Sequence, residues 1–222
     1  EENDIKRRFP DAIVEIINDG VDFESFQEFK KYEKDVLLAK YTNIQFRDIS
    51  NIFFCMGRLH KIKAFDVLIN AFSLFVKQDK NAKLIIAGGN DGVGEKLKQQ
   101  IIDLKVQDSV FLIGAIVFKD KNILLNNCDY FALASEFESF GIVIAEALSC
   151  GKPIVLSNKT PWRNLELNNC GILVDNDKAS FYNAFSRIIN EEYDSKVIKD
   201  YVKSNYDWSI IADRFLVSIK NK

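Results

Sequence analysis

The side chains best suited to chemistry lie in residues 135–151, SEFESFGIVIAEALSCG. Two carboxylates, Glu138 and Glu146, flank a Ser139-Phe140-Gly141 turn. A helix starting near Gly141 is apolar almost all the way round, which predicts burial on most sides. A carboxylate in such a helix is costly unless something polar meets it. Glu146 therefore calls for a partner. A bound ligand is a natural one, and a structural hydrogen bond to nearby backbone is the alternative. Phe140, Gly141 and Ile142 stand at the helix start, where N–H groups are free to bind an anion. Helical side chains lean toward the N-terminus, so Glu146 leans toward the same place while Glu138 sits in the loop above. Carboxylates suit hydroxyl groups because each accepts several hydrogen bonds. An anion site beside two hydroxyl acceptors fits a sugar phosphate. For Glu138 the plainer reading is a surface loop charge.

Three other loops follow strand-like runs. In residues 56–63, MGRLHKIK, Gly57 lets the backbone turn or approach a ligand. Arg58 and Lys63 bracket the loop and can reach one anion, Arg with paired hydrogen bonds and Lys as a mobile charge. The competing reading is a solvated basic loop. His60 reads as an exposed loop residue rather than a catalyst. Residues 88–94, GGNDGVG, suggest a nucleotide loop but fail its tests. A P-loop needs Lys and then Ser or Thr after the last Gly, where Glu95-Lys96-Leu97 stand, and GxGxxG needs a glycine at Leu97. A flexible strand-to-helix loop lining a cleft is the expectation. Residues 111–115, FLIGA, form a strand ending in Gly whose backbone can face a flat ring.

The elements that must position these loops are legible as short apolar runs at 13–17, 52–56, 84–87, 110–113, 130–133, 154–156 and 172–174. Most are continuous rather than alternating, as in strands covered on both faces. Helical patterns lie between them at 65–76, 95–104, 122–126, 142–150 and 179–189. The alternation predicts an α/β fold, a doubly wound, Rossmann-like parallel sheet. Residues 193–205 and 208–220 read as extra C-terminal helices with no strand after them, Asp207 capping the last. Residues 1–50 read as one strand, an Asp-Gly turn and a charged stretch, like the end of something larger. The division expected is 1–50, 51–190 and 191–222.

Composition narrows the function. The 222 residues are 47% hydrophobic with 18 Phe, enough for a substantial core. A net charge of −2 leaves no basic footprint for nucleic acid. No apolar run reaches the roughly 18 residues of a membrane span, and no signal-peptide core appears at the start. Cys55, Cys128, Cys150 and Cys170 show no CxxC spacing and read as buried free thiols in a reducing cytosol. One histidine excludes a His-rich zinc site.

Taken in order, these loops resemble the C-terminal, donor-binding domain of GT-B-fold retaining glycosyltransferases of family 4, over nearly the whole chain. Residues 17–22 and Phe26 look like the family's Asn-Gly-Val-Asp segment near the domain junction, with Asp19 where Asn is usual. Gly57-Arg58-Leu59 with Lys63 matches its Gly-Arg-Leu-x-x-x-Lys-Gly loop, Ala64 replacing the final Gly. Ser135, Glu138-Ser139-Phe140-Gly141-Ile142, Glu146-Ala147-Leu148 and residues 150–155 are similar to its E-x7-E block, with Ser139 where Gly is commoner. Residues 170–174 and 206–208 match later landmarks.

The resemblance implies roles. Arg58 and Lys63 bind the donor diphosphate and stabilise it as it leaves, helped by the N–H groups of Phe140, Gly141 and Ile142. Glu138 contacts the sugar hydroxyls and Glu146 those of the ribose. Gly57 and Ser139 belong to the same donor site. No metal and no cofactor is implied; the substrate is a UDP- or GDP-hexose, and transfer proceeds with retention, from the leaving-group side. The acceptor, a saccharide or a lipid-linked one, belongs to an N-terminal domain or a partner chain for which nothing here corresponds. The expectation is therefore a half-enzyme: a natural fragment, a truncated piece or one subunit of a split transferase, cytoplasmic and compatible with peripheral association at the inner membrane face. Two other readings compete. One is a non-catalytic nucleotide-sugar-binding subunit acting with a partner; the other is a sugar-nucleotide epimerase of similar fold.

Overall fold

The computed structural model of the protein describes residues 2–220. Six short strands form one sheet: β1 (Ile52–Met56), β2 (Lys83–Ala87), β3 (Val110–Gly114), β4 (Tyr130–Leu133), β5 (Ile154–Ser157) and β6 (Gly171–Val174). Every pairing is parallel, and the order across the sheet is β3-β2-β1-β4-β5-β6. This is the doubly wound, Rossmann-like order expected from the apolar runs. Helices flank and connect the strands: α1 (Glu2–Arg8), α2 (Lys34–Thr42), α3 (Phe65–Phe75), α4 (Gly94–Asp103), α5 (Phe118–Asn127), α6 (Ile142–Ser149), α7 (Lys178–Ile188), α8 (Ser195–Tyr206) and α9 (Trp208–Lys220). No helix among the described residues is long and apolar enough to cross a membrane.

The core explains the phenylalanine content. Phe53 of β1 lies between Tyr130, stacked at 4.9 Å, and Phe72, Phe75 and Phe185 at 5.6, 5.5 and 5.0 Å. These rings fasten α3 and α7 to the centre of the sheet. Each fully buried Phe contributes about 1.5–3 kcal/mol by removal from water. Val21, Phe23, Phe26, Leu37 and Leu38 enter the same core, so residues 21–42 pack with the sheet. Ile198 and Val202 of α8 do so too, from a helix that lies along α6.

Several elements differ from the sequence reading. Residues 13–17 form no strand; Ile13 and Ile16 are 86% and 70% exposed. An apolar segment becomes a strand only where it pairs in a ladder that satisfies its backbone groups. Residues 13–17 pair with neither edge strand of the sheet, β3 or β6, and lie beside α9 instead. The charged stretch before residue 43 contains α2, whose only fully buried side chains are Leu37 and Leu38. Helix α5 starts four residues before the apolar pattern, with Phe118 set against Phe26 at 5.7 Å. Asp207 caps α9 as expected, accepting from the Ser209 N–H at 3.0 Å.

The glycine pair after β2 has a packing role. A Cβ on Gly88 would lie 1.8 Å from the Gly57 carbonyl oxygen, backbone against backbone. Gly88→Ala should therefore destabilise the protein by about 1–3 kcal/mol, as overpacking does, while Gly89→Ala, whose nearest neighbour is 3.9 Å away, should be close to neutral. Urea unfolding midpoints check the pair.

Candidate functional site

The chain leaves β1 toward β2 and leaves β4 toward β5, in opposite directions from adjacent strands. Loops that part in this way open a crevice beyond the carboxyl ends of the strands, the usual ligand site of such sheets. The two loops at this point carry Gly57, Arg58 and Lys63 on one side and Glu138, Ser139, Phe140 and Gly141 on the other.

The first loop is tied down along its length. The Gly57 N–H donates to the Ala87 carbonyl at 3.0 Å and the Leu59 N–H to that of Gly89 at 2.8 Å. The Leu59 carbonyl accepts from Asp91 and Val93, each at 3.2 Å. The glycine-rich loop after β2 is thus stitched to the loop after β1, not a free flexible connection. His60 neither faces an anion nor stands loose: its Nδ1 accepts from the Ile62 N–H at 3.3 Å and caps a 3-10 turn, Lys61–Lys63. Ala64 ends that turn at φ 45°, ψ 41°, in the left-handed region that costs a non-glycine residue roughly 1–2 kcal/mol. The final glycine of the motif would relieve this strain. The two loops meet through the Glu136 N–H, which donates to the Ile62 carbonyl at 2.8 Å.

Lys63 and Glu138 come together across this junction. Lys63 Nζ lies 2.6 Å from Glu138 Oε1, and the buried Ser135 hydroxyl donates to the same oxygen at 2.6 Å. The two side chains are only 17% and 9% exposed, so this is an enclosed pair and not a surface charge. Arg58 is different. Its side chain is 72% exposed and bonds Asp91 of the glycine-rich loop at 2.5 Å. The sequence places Arg58 and Lys63 on one anion; in the structure each holds its own carboxylate. Asp91 was missed because nothing in residues 88–94 singles it out as a partner 33 residues away.

The second loop ends at Gly141, whose φ of 80° turns the chain into α6. Phe140 turns its ring inward, against Trp162 at 5.3 Å and Tyr206 at 5.8 Å. Trp162 Nε1 donates to the Phe140 carbonyl at 2.7 Å. Phe140 is a packing anchor that sets the helix start, so its contribution to the crevice is backbone. Ser139 and Ile142 are exposed at the same edge.

Glu146 is buried in α6 as its surroundings predicted, but its partner is inside the protein. Lys121 Nζ of α5 lies 2.5 Å from Glu146 Oε1. Burial pushes the Glu146 carboxyl above its ordinary range, and the Lys121 hydrogen bond opposes that push. The Lys121 ammonium also sits over the Phe118 and Phe26 rings, 5.2 and 5.7 Å from their centroids. Sequence reasoning missed Lys121 because it lies among Lys119, Asp120 and Asn122 with no apolar period to fix which way it faces. All four cysteines are buried and free. Burial pushes their thiols up, those of Cys128 and Cys170 to about 12, far from the range of a nucleophile. Among the described residues no three His, Cys, Asp or Glu side chains gather as metal ligands.

Comparison with known proteins bears on this crevice. The chain is similar to the alpha-1,3/1,6-mannosyltransferase ALG2 of Dictyostelium discoideum, 26% identical over 204 residues, which cover 84% of this chain and 48% of that protein. It is similar to the mannosylfructose-phosphate synthase of Agrobacterium fabrum, 30% identical over 109 residues, covering 46% of this chain and 24% of the synthase. The chain thus spans about half the length of these curated relatives, or less. Among solved structures, Anabaena Alr3699/HepE in complex with UDP superposes with a TM-score of 0.76 at 21% identity, over 94% of this chain and 57% of that one. WaaG, a glycosyltransferase involved in lipopolysaccharide biosynthesis, gives 0.76 at 15% identity, over 96% and 59%. These likenesses establish the fold as the Rossmann-like half of a GT-B arrangement. A family model described as glycosyl transferases group 1 matches residues 41–205, well over half of the chain and both crevice loops. The chain therefore belongs to the group 1 glycosyl transferases.

Proposed function

We propose that the chain is the donor-binding half of a retaining glycosyltransferase, which moves a hexose from a UDP- or GDP-linked donor to a saccharide or lipid-linked acceptor. The observation that carries this reading is the convergence of Arg58, Lys63, Glu138 and the α6 start on one crevice between β1 and β4.

The chemistry follows from the pairs in place. A diphosphate entering the crevice draws Arg58 away from Asp91, at small cost because an exposed ion pair is worth about 0–1 kcal/mol. Lys63 keeps Glu138 and still has N–H donors for a phosphate oxygen. Glu138, fixed by Lys63 and Ser135, accepts from hydroxyls of the donor sugar. As the glycosidic bond breaks, negative charge grows on the diphosphate, where Arg58, Lys63 and the N–H groups at the α6 start meet it. Preorganised donors aimed at developing charge are usually the largest catalytic term. On this reading the cations do the work of a metal ion, and the new bond forms on the face the diphosphate leaves.

The acceptor site is assigned to an N-terminal α/β domain or a partner chain. Ile5 and Ile13 beside Phe215, Val217 and Ile219 of α9 leave a contiguous apolar surface exposed, of the kind such a domain would cover. The buried free thiols suit a cytoplasmic setting, at the inner membrane face where the acceptor is lipid-linked.

Two measurements test the reading. Calorimetry should show UDP or GDP binding in the submillimolar to millimolar range, and Arg58→Ala and Lys63→Ala should each weaken it at least about tenfold, the loss expected for a charge-assisted hydrogen bond. No binding at about 5 mM nucleotide, a Kd too weak to support the site, or binding unchanged by Arg58→Ala, would sink the phosphate assignment. The chain should also brighten the apolar-surface dye ANS. The double substitution Ile13→Ser, Phe215→Ser should dim that signal without altering nucleotide affinity, and altered affinity would mean that surface and crevice are one site.

A further inference from the structure

The donor reading leaves one observation unused: a buried carboxylate that already has a cation. Glu146 is 8% exposed, and the Lys121 side chain that meets it is 16% exposed. Their contact joins α5 to α6, elements that follow β3 and β4 at the carboxyl edge of the sheet. Ile142 and Val143, one turn before Glu146 on the same helix face, are exposed and half-buried, so this face opens to the crevice at its upper end.

We propose that Lys121 is a positioning residue for the donor nucleoside, holding the Glu146 carboxylate charged and aimed so that the vicinal hydroxyls of the ribose meet an ionised acceptor. The proposal rests on the donor-site reading above and adds to it the residue that makes Glu146 usable.

First, an isolated carboxylate at this depth takes up a proton rather than remain charged. A protonated carboxyl keeps less acceptor capacity and its hydrogen bonds to hydroxyls are weaker. Second, Lys121 engages only Oε1 in the structure, which leaves Oε2 for a ligand hydroxyl. Third, Lys121 is itself held: its ammonium rests over Phe118 and Phe26, cation–π contacts that fix its place.

Among the other charged or titratable groups on the neighbouring elements, Asp120, Lys199 and Glu138 are engaged elsewhere. On α5, Asp120 accepts from Lys40 and Tyr41 at 2.8 and 2.9 Å. On α6, the Cys150 thiol is buried and pushed well up, and Lys152 follows the helix. From α8, Lys199 donates to Gln27 Oε1 at 3.1 Å. From the loop after β4, Glu138 is held by Lys63. Lys121 is the cation in contact with Glu146 and the one that opposes the effect of burial on it.

The test compares UDP with 2′-deoxy-UDP, and GDP with 2′-deoxy-GDP, by calorimetry from about pH 6.5 to about pH 9, a span above the ordinary carboxylate range. The affinity ratio of each pair cancels the titration of the phosphates. In the unaltered chain the ribonucleotide should bind about tenfold tighter or more, the worth of a hydrogen bond to a charged group, and the ratio should stay flat across the range. In Lys121→Met the Glu146 pKa rises further. The ratio should then collapse toward one at the acid end and recover as pH rises, because Glu146 is protonated below its pKa and ionised above it. Lys121→Arg should restore the flat profile. A Lys121→Met ratio equal to that of the unaltered chain at every pH would overturn the proposal. So would a ratio lowered equally at every pH, which marks loss of packing rather than loss of charge. If Lys121→Met does not fold, the unaltered chain still decides: a ratio that titrates within this range refutes it. Failure of the unaltered chain to bind either diphosphate removes the donor reading itself, whereas binding without ribose discrimination removes only this inference.

Discussion

Everything in the crevice depends on the pairing of β1 with β4. The ladder between them is short, with Phe53 opposite Tyr130 and Phe54 opposite Phe131. Two residue pairs are a weak zipper, and side chains make up the difference. Phe53 stacks on Tyr130 and is enclosed by rings from α3 and α7, while the Ile52 N–H donates to the Asp129 carboxylate at 2.7 Å. Residues far apart in the chain become neighbours here, and the loops that leave them part in opposite directions. The Glu136–Ile62 bond then fixes the distance between those loops. Aromatic packing two layers below the crevice is what sets Lys63 against Glu138.

The charges near the crevice fall into two classes. Arg58 pairs with Asp91 in solvent, whereas the Lys63–Glu138 and Lys121–Glu146 pairs are enclosed to the same degree. Desolvation makes a lone charge costlier at the two enclosed pairs than at the exposed one. The exposed pair costs little to open, since such pairs are worth about 0–1 kcal/mol. The enclosed pairs stay closed and hold their carboxylates in fixed positions. On the proposed donor reading, one mobile cation and two fixed hydroxyl acceptors suit a ligand that is a diphosphate in the middle and polyol at either end.

Much of this was legible in the residues. Short continuous apolar runs name strands covered on both faces, and the order of runs and helices yields the doubly wound sheet. Gly141 before an apolar stretch marks the α6 start, and Asp207 marks that of α9. Residues 13–17, IVEII, misled because an apolar run becomes a strand only where it pairs with the sheet, and this one lies beside α9 instead. Helix α2 and the first turn of α5 were hidden because their helicity comes from Leu37, Leu38 and Phe118 meeting the rest of the fold, with no periodic pattern of their own.

The sequence by itself determined the residue types at the crevice: two loop cations, a carboxylate on each side of a helix start, and a buried Glu146 that needed a partner. These follow from chemistry local to a few positions. Which charges meet was decided only by the tertiary structure. Lys63 reaches Glu138 across 75 residues, Arg58 reaches Asp91 across 33, and Lys121 reaches Glu146 across 25. The physical reason is that an ion pair depends on distance in space, and distance between loops is set by strand order and ring packing, which no local pattern encodes.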